Sequence, residues 1–542
     1  MTGQEDGLFV SRSRKESDAS ASANYGKTTQ EMIEHRANHP GIIHQDDRRQ
    51  IREIDCYDKL GFSFPWHKKW TILAVTFIVQ VSMNFNASVY PNVIPLISEA
   101  FNVSEVKAKV SQMVFMVAYA FGCELWAPWS EEYGRWPVLQ ISLFFMNIWQ
   151  ILGALAPNFG TIVVARFLGG ISLAGGSVTL AIVADMWEAN DQGYAVAFIV
   201  LSSVGGSAVG PIFGGLMTER LSWRWNFWIQ LIFGGVAQIL HFFLVSETRT
   251  DLLMDKEAKL RRESGEDNDI YGPSEINKRK MTMKEILSIW RRPFEMFLRE
   301  PIVLCLSLLS GFADALIFIF MECFSLVYQQ WGFSTTQCGL AFIPILIGYL
   351  IAYLIHLPDI GRQMFLIKNH GEESRFAERR LLLLLYIAPL LTIGLLGFAW
   401  TSMGPDYNPW IAPMIFGTLI AIANYSIYMS TIDYMIAAYG PYSASATGGN
   451  GFARDFLAGI SILYAIPLYT NIGGKRHLQW GSTLLGCLAA LVTIPIFIFY
   501  WMGPEVRRRS KFAQTLAADH KLRNTDYEKD EVAIESISTE KA

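Results

Sequence analysis

The sequence predicts an all-α polytopic membrane protein of twelve transmembrane helices, arranged as two six-helix bundles. Three observations predict it. Of 542 residues, 51% are hydrophobic and only 17% charged, against about a quarter charged in soluble chains. Apolar runs of roughly twenty residues, each long enough to cross ~30 Å of hydrocarbon, recur from Trp70 to Trp501. One long polar, basic stretch divides those runs into two sets of six.

The expected spans are 70–92, 109–127, 138–156, 161–183, 194–216 and 225–245, then 301–326, 337–357, 381–400, 409–431, 448–470 and 480–502. Residues 1–65 precede them. They are expected to form a disordered cytoplasmic tail, because the first 55 carry few apolar groups among many Ser, Lys, Arg, Asp, Glu and His, too few to offset the entropy of ordering. No cleavable signal peptide is visible in this polar stretch. Residues 66–246 form the first bundle, 247–299 a basic central loop and 300–503 the second bundle. A second polar tail covers 504–542, its first turn carrying Arg507, Arg508, Arg509 and Lys511, suited to anionic headgroups.

Orientation follows from positive charge. The central loop (Lys259, Arg261, Arg262, Lys278, Arg279, Lys280, Arg291, Arg292) and the 358–380 loop (Arg362, Lys368, Arg375, Arg379, Arg380) are basic. The loops near 157–160, 328–336 and 401–408 have no Lys or Arg. Both termini are therefore expected in the cytoplasm. The sequon at Asn102 then falls outside, a glycosylation candidate, whereas those at Asn86 and Asn424 lie within spans. The net charge of −4 gives no basic stripe for a nucleic acid. The six cysteines (56, 123, 305, 323, 338 and 487) form no CxxC pair, so no metal site is expected. Neither a nucleophile elbow, a P-loop nor a dinucleotide fingerprint is present, which argues against an enzyme, and no cofactor is expected.

Two segments carry the mechanism. The first is Ala127-Pro128-Trp129-Ser130-Glu131-Glu132-Tyr133-Gly134-Arg135-Trp136-Pro137-Val138, between spans two and three. Glu131 can accept backbone N–H groups at the start of a facing helix, Gly134 allows a tight turn, and Arg135 offers a fork for a carboxylate. The second is span five, with Ser202, Gly206, Gly210 and Gly214 at every fourth position and the form Gly210-Pro211-Ile212-Phe213-Gly214-Gly215. Small residues at that spacing let another helix approach closely, and Pro211 removes one backbone donor.

These segments, with Arg166-Phe167-Leu168-Gly169-Gly170 in span four and Glu247-Thr248-Arg249 after span six, resemble the fungal drug/proton antiporters of the major facilitator superfamily. The resemblance covers roughly residues 66–510. It implies alternating access, a cytoplasmic latch at Glu131, Gly134 and Arg135, and an antiporter motif at Gly206, Gly210, Pro211, Gly214 and Gly215. It further implies a proton-linked role for Arg166, holding a carboxylate. The first latch position is commonly Gly and the acid commonly Asp in that family; here they are Ala127 and Glu131.

Ionisable groups inside spans each cost ~3 kcal/mol or more unless paired or wet, and mark functional candidates. Arg166, Asp314, Glu322 and Glu124 are the ones for proton coupling or substrate. Asp314 and Glu124 depart from the family, which usually has tyrosines or small residues at the first and an apolar residue at the second. Glu322, eight residues after Asp314, is rotated about 80° from it and need not share its face. Asn84, Asn86, Tyr90 and Tyr119 are candidate cavity-lining groups. Asp185, Asp433, Arg454 and Asp455 sit at expected span ends as gate or structural contacts, and His241 reads as a packing residue. Phe312, Phe318, Phe320 and Phe324 suit either a greasy pocket or lipid-facing packing.

The expected function is proton-coupled export of drugs, toxins or a fungal secondary metabolite across the plasma membrane, by a monomer whose partners are its small-molecule substrate, protons and membrane lipid. A polyamine/proton antiporter is the alternative, since Asp314, Glu322 and Glu124 could bind amines. A non-transporting membrane sensor that signals through its tails is a further one.

Overall fold

The computed structural model describes residues 49–510 apart from 174, 188–190, 266, 277–282, 371–376 and 440–441. Most of both predicted tails, with Lys278, Arg279, Lys280, Arg375 and Lys511, lies outside the described residues. The described chain falls into two compact units, and each is taken by itself.

The larger unit, Pro65–Thr248 with Met281 onward, is the membrane body. Eleven helices among its described residues are long and apolar enough to span a bilayer. They correspond to the expected spans one to three and five to twelve, running through Trp66–Phe101, Glu105–Glu132, Arg135–Ala154, Gly193–Arg220, Trp223–Leu244, Pro301–Trp331, Thr335–Leu366, Glu378–Thr401, Ile411–Tyr439, Ser443–Asn471 and Gly474–Arg509.

Span four differs from expectation. In place of one helix over 161–183 there are two, Phe159–Ile171 and Gly175–Met186. The sequence is glycine-rich there (Gly169, Gly170, Gly175, Gly176), so the backbone gains little from staying helical. A break inside a membrane persists only where the freed carbonyls find donors. The Trp126 indole donates to the Ile171 carbonyl at 2.9 Å, and Ser142 Oγ to the Ser172 carbonyl at 2.7 Å.

Helix starts follow local chemistry. Ser104 Oγ accepts the Lys107 N–H, Asn158 Oδ1 accepts that of Thr161, and Ser334 forms a capping box with Gln337. The turn between spans two and three runs through Gly134 at φ 100°, a conformation open to glycine. Large apolar side chains cover the outer faces, among them Phe243, Leu491 and Trp501, as lipid contact requires. Asn86 and Asn424 are buried, whereas Asn102 is exposed on a left-handed turn at the end of span one.

The smaller unit joins residues up to Phe64 with Arg249–Lys280. Residues 49–64, expected within a disordered tail, carry a short strand and two 3-10 helices. Arg49–Gln50 pairs in parallel with Ile270–Tyr271, and Ile51, Cys56 and Leu60 pack on Met254, Ala258 and Ile270 of the Thr250–Ser264 helix and its following strand. Arg262 forks onto Glu275 with two bonds of 2.6 Å. The order comes from a partner far away in sequence, which local composition does not reveal.

Candidate functional site

A cavity of 380 Å³ lies between the two bundles in the half of the membrane body that carries the 127–138 loop. Spans two, four, five, ten and eleven line it: Glu124 and Glu131, Trp187, Gln192 and Val196, Tyr428 and Ile432, Ser443, Arg454 and Asp455. Helical depth places Arg454, eleven residues into span eleven, ~16 Å from the loop-side face. Arg454 and Asp455 are thus deep in the body rather than at the end of span eleven.

Arg454 is 4% exposed and organises this depth. Its Nη2 donates to Asp455 at 3.4 Å and to Ser203 Oγ at 3.4 Å, its Nε lies 3.9 Å from Asp314, and its guanidinium stacks 4.1 Å from the Tyr428 ring centre. Spans five, seven, ten and eleven, and so both bundles, meet on one cation. Glu124 closes the same wall from span two. It is 4% exposed, and a methyl group at Gly448 would lie 2.8 Å from both its carboxylate oxygens. Tyr119, one turn away, has a buried hydroxyl without a hydrogen-bond partner among the described residues.

On the loop side, Arg135 Nε pairs with Asp185 at 2.9 Å and its Nη1 donates to Ser130. Glu247 accepts the N–H groups of Arg135 and Trp136 at 3.0 and 3.1 Å, capping the start of span three where the helix dipole favours an anion. The second bundle repeats the arrangement. Arg380 at the start of span nine pairs with Asp433 at 2.5 Å, and Glu378 accepts the fork of Arg507 at 2.9 and 3.0 Å. Arg507, expected to face lipid headgroups, is spent on that contact. Glu131, in contrast, is exposed on the cavity rim with no hydrogen bond to a described residue, across from Ser443 and Ala444 at the start of span eleven.

The opposite half is closed. Lys109 of span two and Glu322 of span seven form a buried ion pair at 2.5 Å. Gly215 meets Gly339 of span eight so closely that a methyl group at Gly215 would lie 2.8 Å from the Thr335 carbonyl. Thr336 donates its N–H to Glu219 at 2.9 Å and its hydroxyl to the Gly215 carbonyl. Lys109 was missed because a lysine five residues into a span, ~7 Å from its end, reads as an interfacial charge.

The span-five stripe has two faces. Gly206, Gly210 and Gly214 pack on Asn84, Ser88 and Asn92 of span one, while Pro211 and Gly215 meet span eight. Asn84 therefore belongs to a helix seam rather than to the cavity. Arg166 departs further from expectation. It is 1% exposed and no carboxylate faces it among the described residues. Its fork holds the Asn86 carbonyl at 3.1 Å and Gln112 Oε1, between the rings of Tyr90 and Phe115 at 4.3 and 3.7 Å. Asn86 and Tyr90 complete that network, accepting from Gln150 at 2.6 Å and pairing with Ser111 at 2.7 Å. His241 packs against Gln140 at 2.6 Å, and Phe320 and Phe324 stack on Phe398 within the second bundle.

Comparison with known proteins gives this geometry a family. The profile of the Major Facilitator Superfamily matches residues 76–462. The chain is 31% identical over 459 residues to the MFS-type transporter paaT of Penicillium rubens, covering 83% of this chain and 80% of that one. It is 28% identical over 470 residues to Fluconazole resistance protein 1 of Saccharomyces cerevisiae, covering 83% and 82%. Among solved structures, the proton:xylose symporter XylE aligns with a TM-score of 0.55 at 15% identity, over 80% of this chain and 95% of that one. At that identity the likeness concerns the fold alone. With a matched family profile, fungal transporter relatives and two helical bundles around a cavity that holds buried charges, this multi-pass chain belongs to the major facilitator superfamily and is a membrane transporter rather than an enzyme.

Proposed function

We propose that this protein is a proton-coupled antiporter that exports small organic molecules across the plasma membrane by alternating access, with both termini in the cytoplasm. The observation that carries the reading is the asymmetry of the cavity: it reaches the loop-side span ends and stops at a closed seam on the other side. That asymmetry is what a carrier loading from the inside requires. The basic loops support a cytoplasmic assignment of the cavity side. Relatives whose names refer to drug resistance or multidrug transport support export of foreign or secondary compounds.

In this reading Glu131 swings onto the N–H groups at the start of span eleven when the inner side closes, and the Lys109–Glu322 pair parts as the outer side opens. Arg454, held by Asp314 and Asp455 of its own bundle, reaches the first bundle at Ser203. A carboxylate that takes up a proton loses most of its hold on a guanidinium, so protonation loosens the joint that substrate binding must also disturb. Arg166 serves as a scaffold of the first bundle. Asn102, exposed on its turn, is the proposed glycosylation position.

The test uses inverted membrane vesicles from a yeast strain without its own pumps, with an imposed proton gradient and a fluorescent lipophilic drug. Gradient-dependent uptake that collapses with a protonophore, and is lost in Asp314→Asn, is expected. Uptake indifferent to the gradient would overturn proton coupling. Drug resistance conferred without any uptake would favour a sensor.

A further inference from the structure

We propose that Ser264 is a phosphorylation site for an ATP-dependent kinase that selects basic segments, and that phosphate there frees residues 49–64 from the central loop. The inference rests on the cytoplasmic placement of that loop proposed above, the side on which ATP is supplied. It concerns the smaller unit alone.

Kinases of this kind read positive charge two and three residues before the acceptor through acidic pockets of their own. Two serines of this chain stand behind a pair of arginines in that register. Ser264 follows Arg261-Arg262-Glu263, and Ser510 follows Arg507-Arg508-Arg509. The structure separates them. Ser510 is 6% exposed, and Arg507 is held in the Glu378 fork. Ser264 is exposed in the last turn of the Thr250–Ser264 helix, beside the left-handed Gly265 that ends it. Its hydroxyl donates to the Arg261 carbonyl at 3.0 Å, a local bond that rotation of the side chain breaks. In the transfer, Ser264 Oγ forms a bond to the γ-phosphorus of ATP as the bond from that phosphorus to the bridging oxygen breaks. ADP leaves, and the hydroxyl proton passes to the catalytic carboxylate of the kinase.

The residues around this serine also hold the unit together. Arg261 Nη2 donates to the Asp55 carbonyl at 2.7 Å and its Nε to Glu257 at 3.0 Å. Arg262 donates to the Ile270 carbonyl at 3.0 Å as well as to Glu275. Asp267 pairs with Arg49. Two side-chain ties of the 49–64 segment, to Arg261 and to Asp267, are thus each anchored three residues from Ser264. A phosphate adds a charge of about −1.5 to −2. At a helix C-terminus it faces the negative end of the dipole, and here also the like charges of Glu263 and Asp267. It draws a guanidinium more strongly than a backbone carbonyl does. Both ties weaken together: Arg261 turns from Asp55 to the phosphate, and Asp267 is repelled. The coupling is reciprocal. A kinase that engages Arg262 must first part it from Glu275, so loosening the unit eases modification and modification loosens the unit.

The experiment treats the purified full-length protein in detergent with a basic-directed protein kinase and ATP. Peptide mass spectrometry reads phosphate at Ser264 and Ser510. Timed maleimide labelling reads Cys56, fully buried in the smaller unit, with Cys338 of the membrane body as the control for general unfolding. Ser264 is expected to take phosphate ahead of Ser510. Phosphorylation should then speed labelling of Cys56 by about threefold or more and leave Cys338 unchanged. Glu275→Ala, which releases Arg262, should raise the rate of Ser264 phosphorylation by about two- to fivefold. Ser264→Ala should keep the slow Cys56 rate after kinase treatment, and Ser264→Glu should show part of the acceleration without any kinase. Absence of phosphate at Ser264 in both wild type and Glu275→Ala would overturn the proposal. So would an unchanged Cys56 rate in the phosphorylated protein, or equal acceleration in Ser264→Ala. Detergent exposes both faces of the protein, so these outcomes do not depend on orientation. Kinase added to sealed inverted vesicles tests orientation separately: failure there after success in detergent would overturn the cytoplasmic placement and not the site.

Discussion

The least anticipated contact at the residue scale is the Lys109–Glu322 pair, which joins the two bundles where the membrane body is closed. Removing one member of a buried pair costs about 3–5 kcal/mol, because the other charge is left uncompensated. Lys109→Met is therefore expected to weaken the closed seam and speed alkylation of Cys338, which is 9% exposed beside Gly339. The double variant Lys109→Met/Glu322→Gln should restore most of the protection. Peptide mass spectrometry after timed maleimide labelling reads both, and equal rates in all three proteins would remove the pair from the seam. Arg166 gives a second prediction. Lysine cannot reproduce its fork between two rings, so Arg166→Lys should lose about 1–3 kcal/mol and lower the midpoint of thermal unfolding in detergent. Retention of the wild-type midpoint would deny the network its structural weight.

Among the elements, span five shows how a sequence stripe acquires two jobs. A methyl group at Gly210 would lie 2.0 Å from Ser88 Oγ and 2.6 Å from the Ser88 carbonyl carbon, whereas one at Gly235 of span six meets nothing within 4 Å. Gly210→Ala should cost about 1–3 kcal/mol through overpacking, and Gly235→Ala should be neutral or slightly stabilising. Paired thermal unfolding curves decide this, and equal effects would show that the seam yields. The smaller unit offers a chemical readout. Burial pushes the Cys56 thiol up to about 11, so at pH 8 its thiolate is about two orders of magnitude scarcer than for an ordinary cysteine. Glu275→Ala removes the Arg262 fork and should make Cys56 react faster. The hydrogen bond from Arg262 holds the Glu275 carboxyl below its ordinary value. The stability it contributes is thus present above about pH 4.3 and fades as pH falls, exposing Cys56 in the same assay.

Within the membrane body the two bundles meet through a few polar groups, a glycine seam and apolar packing such as Phe121 on Phe452 and Phe456. Breaking the Lys109–Glu322 pair should bias it toward opening on that face. Mutating the rim should bias it the other way: Glu131→Ala removes the anion proposed to close onto span eleven, so the state with the loop-side cavity should persist. Transport by Glu131→Ala is expected to fall by about tenfold while substrate binding to the purified protein is retained, and loss of binding instead would put Glu131 in the substrate site.

The sequence alone determined the class of solvent, the number of hydrophobic runs, their division into two sets, and the loop and span-five motifs. These are local properties: hydropathy over ~20 residues, small residues at every fourth position, and charge in the loops. The tertiary structure decided which charges meet. Asp314 and Glu322 share one span yet answer to Arg454 and Lys109 on two different helices. Arg166 was legible as a buried cation but not as one held by carbonyls and rings, because its partners come from spans one and two. The break in span four and the order of residues 49–64 escaped notice for the same reason, since the donors and the strand that stabilise them lie far along the chain. Helix formation and exposure to lipid follow largely from residues a turn or two apart. The pairing of a charge depends on how helices pack, and packing is a property of the whole chain.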